Sequence, residues 1–118
     1  MSDETANDET AEVELPGTAG EIARQKPELW RAFQALGAAT GAAGPLSERE
    51  QRLVNLALAL GGDSEGATHS HCRRALAEGL VAEELEHVAF LAITTLGWPQ
   101  AVRGLTWVRD VTRPRDRR

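Results

Sequence analysis

Residues 47–79, SEREQRLVNLALALGGDSEGATHSHCRRALAEG, constrain the fold more than any other stretch of this chain. They read as two helices joined by a tight glycine turn. Ser47-Glu48-Arg49-Glu50 is a capping box, in which the Ser hydroxyl accepts from a free amide of the first turn and the Glu side chain returns a bond. Leu53, Leu56, Ala57 and Leu60 then form one stripe. Val54 and Leu58 widen it enough to predict burial on more than one side. Gly61-Gly62 stops this helix, and Asp63 or Ser64 can cap the next. The second helix, over about 65–78, carries Ala67, Cys72, Ala75 and Leu76, mostly small side chains that let a neighbouring backbone come near. Gly79 is placed as its left-handed cap.

The rest of the chain is helical by the same signals. Pro27 suits a first helical turn, where its missing N–H costs nothing. Leu29, Trp30, Phe33 and Leu36 recur at helical spacing behind it, until the run GAATGAAG (37–44) ends the pattern. A further helix over 82–95 opens with Glu83, Glu84 and Glu86, favourable near the positive end of the helix dipole. Its centre, 88–93, is apolar almost all round, which marks a central helix or an oligomer interface. Gly97-Trp98-Pro99 breaks the chain. Pro99 then opens a last helix using Ala101, Val102, Leu105, Val108 and Val111. The expectation is an all-α fold of about five helices with no strand, its short connections favouring antiparallel neighbours.

Length and charge bound the function. A chain of 118 residues suits one domain. No apolar run reaches the roughly 18 residues of a membrane span, and the acidic, polar start MSDETANDETAEVEL is no signal peptide. Cys72 is the only cysteine, so no intrachain disulfide forms and a reducing, cytoplasmic setting is expected. A formal net charge of −5 offers no broad basic field for nucleic acid. The charge is uneven: Asp3, Glu4, Asp8, Glu9, Glu12 and Glu14 crowd the start, and Arg109, Arg113, Arg115, Arg117 and Arg118 the end. The expected organisation is a disordered acidic tail over 1–19, one folded domain over 20–112 and a basic tail over 113–118.

Three features then line up with one family: Arg52-Leu53-Val54-Asn55-Leu56-Ala57-Leu58 after a capped start, His71 followed by Ala75 and Gly79, and Glu83-Glu84-Leu85 opening a helix that later ends in Gly97-x-Pro99. Over about 20–110 the chain resembles the carboxymuconolactone decarboxylase family, which includes the AhpD-like alkylhydroperoxidases. The resemblance implies an all-α, AhpD-like domain that assembles into homotrimers or homohexamers. AhpD-like members carry Cys-x-x-Cys-x-x-x-His and a Glu one helix earlier as a thiol-based relay. Those positions fall here on Ser64, Ala67, His71 and Arg52. The decarboxylase branch is the closer resemblance. It lacks the cysteine pair and keeps a His before an Arg-Ala-Leu run, here His71-Cys72-Arg73-Arg74-Ala75-Leu76. It acts on 4-carboxymuconolactone, releasing CO2. This chain departs from that branch at Ala67, His87 and Thr95, where an acid, a Glu and an aromatic are implied.

His71 is the expected catalytic residue. Decarboxylation beside a lactone or keto group leaves an enolate, and an imidazole with a pKa near neutrality can return a proton without metal or cofactor. The plainer alternative is a histidine hydrogen-bonded within a helix interface. Arg52 and Arg74, with Arg73 beside them, could grip an anionic substrate, since a guanidinium holds a carboxylate with two hydrogen bonds; a solvated helix face competes with that reading. Cys72 is a possible redox thiol, though a reactive thiolate needs nearby positive charge and only Arg73 is at hand. His69 sits about 200° around the helix from His71, on an ordinary surface ladder with Glu65 and Arg73. His87 lies one turn after Glu83 and could pair with it. No His pair is at ligand spacing, so no metal is expected. The function so read is a cofactor-free lyase on a small carboxylated lactone or keto acid in aromatic-compound catabolism. The rivals are a thiol antioxidant using Cys72 and a non-catalytic oligomeric binder.

Overall fold

The computed structural model describes Leu15 and residues 17–114. The expected acidic segment over 1–14 and the basic end over 115–118 lie outside them. Among the described residues there are six helices and no strand: α1 (Gly17–Gln25), α2 (Pro27–Gly41), α3 (Glu48–Gly61), α4 (Glu65–Ala77), α5 (Ala82–Leu96) and α6 (Trp98–Thr112). The expectation of five helices therefore misses α1, and the tail boundary at 19 falls inside that helix. The described chain divides into two compact units between Pro45 and Leu46.

The first unit is the pair α1 and α2. Lys26 breaks the helical path with φ −130° and ψ 71°, and Pro27 begins α2. The helix runs on through Gly37 to Gly41, past the point where the glycine-rich run was expected to end it. Trp30 and Phe33 stack at 5.8 Å between ring centroids, one turn apart. Leu29, Phe33 and Leu36 are all exposed.

The second unit contains α3 to α6. Its core joins Leu56 of α3, Cys72 and Ala75 of α4, Leu80 of the α4–α5 turn, Leu85 of α5 and Val108 of α6, with Leu53, Val88 and Val111 packed around them. Helix α6 comes close to the end of α3 at Gly104. A Cβ on Gly104 of α6 would lie 2.5 Å from Leu60 Cδ2, so only glycine fits there without displacing a buried leucine. Gln100 Nε2 donates to the carbonyls of Leu60 (2.9 Å) and Gly61 (3.2 Å), tying α6 to the end of α3. Among the described residues Glu86 is the buried charge of this unit. It accepts from Thr112 Oγ1 (3.0 Å) and Arg113 Nη2 (3.1 Å), with Arg109 Nη2 at 3.6 Å, which clamps α5 to the last turn of α6. Val54 and Leu58 stay exposed, so α3 is not buried on more than one side as its sequence suggested. Likewise Phe90 and Leu91 leave the outer face of α5 apolar and open. Among the described residues no helix is long and apolar enough to cross a membrane.

Candidate functional site

The capped starts and stops of α3 and α4 set the geometry. Ser47 and Glu50 form the reciprocal box expected of them (3.1 and 2.8 Å), which fixes where Arg52 leaves α3. Ser64 caps α4 through the Ala67 amide at 3.2 Å. The other end of α4 closes as a Schellman motif: Leu80 N–H bonds to Ala75 O, Gly79 N–H bonds to Leu76 O, and Gly79 takes φ +101°. The same motif ends α3, where Ser64 N–H reaches Ala59 O and Asp63 N–H reaches Leu60 O. There the left-handed residue is Asp63, at φ 56°, rather than either neighbouring glycine.

Between these fixed ends Arg52 reaches from α3 to α4. Its Nε and Nη2 donate to the two carboxylate oxygens of Glu78, at 3.0 and 2.8 Å. Its Nη1 donates to His71 Nδ1 at 2.8 Å. A guanidinium has donors only and keeps its proton. Nδ1 must therefore accept, which places the imidazole hydrogen on Nε2. The His71 pKa is pushed down to about 4, first by burial and then by the charges of Arg52 and Arg74, with Glu78 opposing. The near-neutral pKa expected from sequence is thus corrected: His71 is a neutral imidazole at neutral pH.

Arg74 lies three positions after His71, so the two share a helix face. Burial also lowers the Arg74 pKa, and Arg52 adds to this. Among the described residues neither the Arg74 guanidinium nor His71 Nε2 has a hydrogen-bond partner, and neither is sealed from solvent. The result is an accessible N–H donor beside a half-buried cation, backed by a locked guanidinium. Arg73 points out to solvent on an exposed position.

Cys72 lies on another side of α4. It is 0% exposed in the core, and burial pushes its thiol up to about 11, against a lowering from Arg73. A peroxidatic thiol needs access and a depressed pKa; this side chain has neither, so the geometry gives no support to its possible redox role. An open apolar hollow of about 810 Å³ runs between α3 and α5 over Leu53, Val54, Leu58, Val88 and Leu91, with Glu84 and His87 at its wall. His71, Arg52 and Arg74 do not line it. Glu84 binds the Val81 amide at 2.9 Å and pairs with Arg49.

Compared with known families, residues 27–110 match the model of the carboxymuconolactone decarboxylase family. The chain belongs to this family. Arg52, His71, Cys72, Arg74 and Glu78 all fall within the matched span, so the family assignment and the polar array rest on the same segment. No curated protein and no solved structure matches the chain significantly. Arg52 stands where the resemblance to AhpD-like members implies a relay Glu, and in the structure the carboxylate of this array comes from Glu78. Sequence reasoning missed Glu78. The signal was available: His71, Arg74 and Glu78 are spaced by three and four, one row along a single helix face.

Proposed function

We propose that this protein is a cofactor-free, decarboxylase-like lyase acting on a small carboxylated lactone or keto acid in aromatic-compound catabolism. The single observation that supports it is the His71 Nε2–H, held in one tautomer by Arg52 and, among the described residues, left without a partner beside Arg74. Arg74 would hold a carboxylate that the substrate retains. A second carboxylate, on the carbon alpha to the lactone or keto carbonyl, would be lost as CO2, its bonding pair passing into an enolate. Neutral His71 would then hydrogen-bond the enolate through Nε2–H and deliver that proton to carbon, water restoring it afterwards. The cations that suppress the imidazolium also favour loss of the second proton, the arrangement by which a neutral histidine serves as an electrophile. Arg52 acts through His71 and is a positioning residue rather than the free substrate anchor expected from sequence, because Glu78 already occupies its fork.

The same proposal includes a homotrimer or homohexamer in the cytoplasm. The support for the oligomer is the family and the exposed apolar side chains Val54, Leu58 and Leu91 lining the α3–α5 hollow, with Phe90 exposed on the same helix as Leu91, which a second copy would cover. The test is CO2 release from a panel of carboxylated lactones and keto acids. Turnover by the native protein, lost in His71→Ala with the oligomer intact, supports the lyase. Binding of these acids without CO2 release would replace it with a non-catalytic binder.

A further inference from the structure

The opposite side of α4 holds a second cluster. Glu65 and His69 stand four positions apart at the start of α4, and Asp110 comes from the last turns of α6. One ligand atom from each residue lies within 4.8 Å of the others. His69 Nε2 donates to Asp110 Oδ2 at 2.9 Å. The i, i+4 pair was an ordinary surface ladder in the sequence; the third group arrives from 41 positions away. We propose that Glu65, His69 and Asp110 bind a divalent transition-metal ion, with zinc the best fit.

The chemistry of the donor set carries this. One imidazole nitrogen and two carboxylate oxygens are the mixed donors that zinc accepts, and three protein ligands leave a fourth position for water. Zinc–ligand lengths of about 2.0–2.2 Å at a tetrahedral angle separate neighbouring donors by roughly 3.4 Å. The His69–Asp110 contact at 2.9 Å must open by only a few tenths of an ångström, and Glu65 must close from at most 4.8 Å. These are adjustments within reach of side-chain rotation. Two carboxylates also neutralise a dication. The two nearest arginines of α6 and its end, Arg109 and Arg113, are turned to Glu86 instead of to this cluster. The ion would staple the end of α6 to the start of α4, on the side of α4 away from His71, so it is independent of the proposed reaction.

The test is calorimetric titration of the full chain with zinc chloride, paired with thermal unfolding in zinc and in chelator. One equivalent should bind and raise the Tm. His69→Ala should abolish both effects, and Asp110→Asn should weaken binding at least as much as the roughly tenfold lost with an outer-shell partner. His71→Ala and His87→Ala should bind as the native protein does. Absence of saturable binding, or equal binding by native and His69→Ala proteins, would overturn the site. Circular dichroism of each variant separates loss of binding from loss of fold.

Discussion

Two histidines two residues apart on α4 meet opposite surroundings. His71 faces cations, with Arg52 on its Nδ1 and Arg74 one turn away, whereas His69 faces the carboxylates of Asp110 and Glu65. The helix supplies this contrast, since a two-residue step turns about 200°. What differs is the neighbour each side meets: α3 brings Arg52 to one imidazole and α6 brings Asp110 to the other. The cation on Nδ1 keeps His71 neutral and a donor through its far nitrogen, whereas the carboxylate of Asp110 accepts from His69 Nε2. Residue type alone therefore says little about these histidines, and the packing partner decides.

The contrast breaks most visibly in catalysis. His71→Ala should lose turnover by a factor on the order of 10²–10⁴, the usual contribution of a proton-transfer residue. His69→Ala should leave turnover unchanged; an equal loss in both would end the distinction between the two sides. Because the reacting form is the neutral imidazole with a pKa of about 4, kcat should stay flat from pH 5 to 8 instead of falling through 6.5.

Stability sharpens it next. The folded His71 pKa of about 4 lies below its ordinary value of 6.5, so between those values the unfolded chain binds more protons. Stability is then unaffected above 6.5, falls as pH drops from 6.5 to 4, and levels below 4. Allowing for partial exposure, the loss is roughly 1–2 kcal/mol. Denaturant midpoints measured across this range should show it, and His71→Gln should flatten it.

The charged neighbours give smaller, directional effects. Arg52→Gln should raise the His71 pKa towards 6.5 and free Glu78. Glu78→Gln removes the one influence that raises it and should move it lower still. Each should cost about 1 kcal/mol, since the pair is bidentate but half in water. On the other side of the helix, Asp110→Asn in metal-free buffer should cost only about 0.2–1 kcal/mol, as an exposed pair does.

Much of this was legible in the chain. The Ser47–Glu50 box and the Gly79 cap are local chemistry, and local chemistry is what a linear reading detects. Helix α1 was missed because GTAGEIARQ offers one sizeable apolar residue, Ile22, and two glycines. The run through Gly37–Gly41 was missed because alanines between the glycines sustain a helix that glycine alone would weaken. For the site, His71 and Arg74 could be named, and Arg52 placed near them. The pKa of His71 could not be read, because it depends on burial and on a guanidinium 19 positions away. Glu78 shares a readable helical row with His71 and Arg74, but its pairing with Arg52 spans 26 positions and that of Asp110 with His69 spans 41, beyond any helical periodicity.

The central claim is the protonation of one ring. Nitrogen-detected NMR of the native protein with labelled histidines reports tautomer and titration together. His71 at pH 7 should be neutral with its hydrogen on Nε2, protonating only near pH 4. A His71 signal that is imidazolium at pH 6, or that carries its hydrogen on Nδ1, would contradict it.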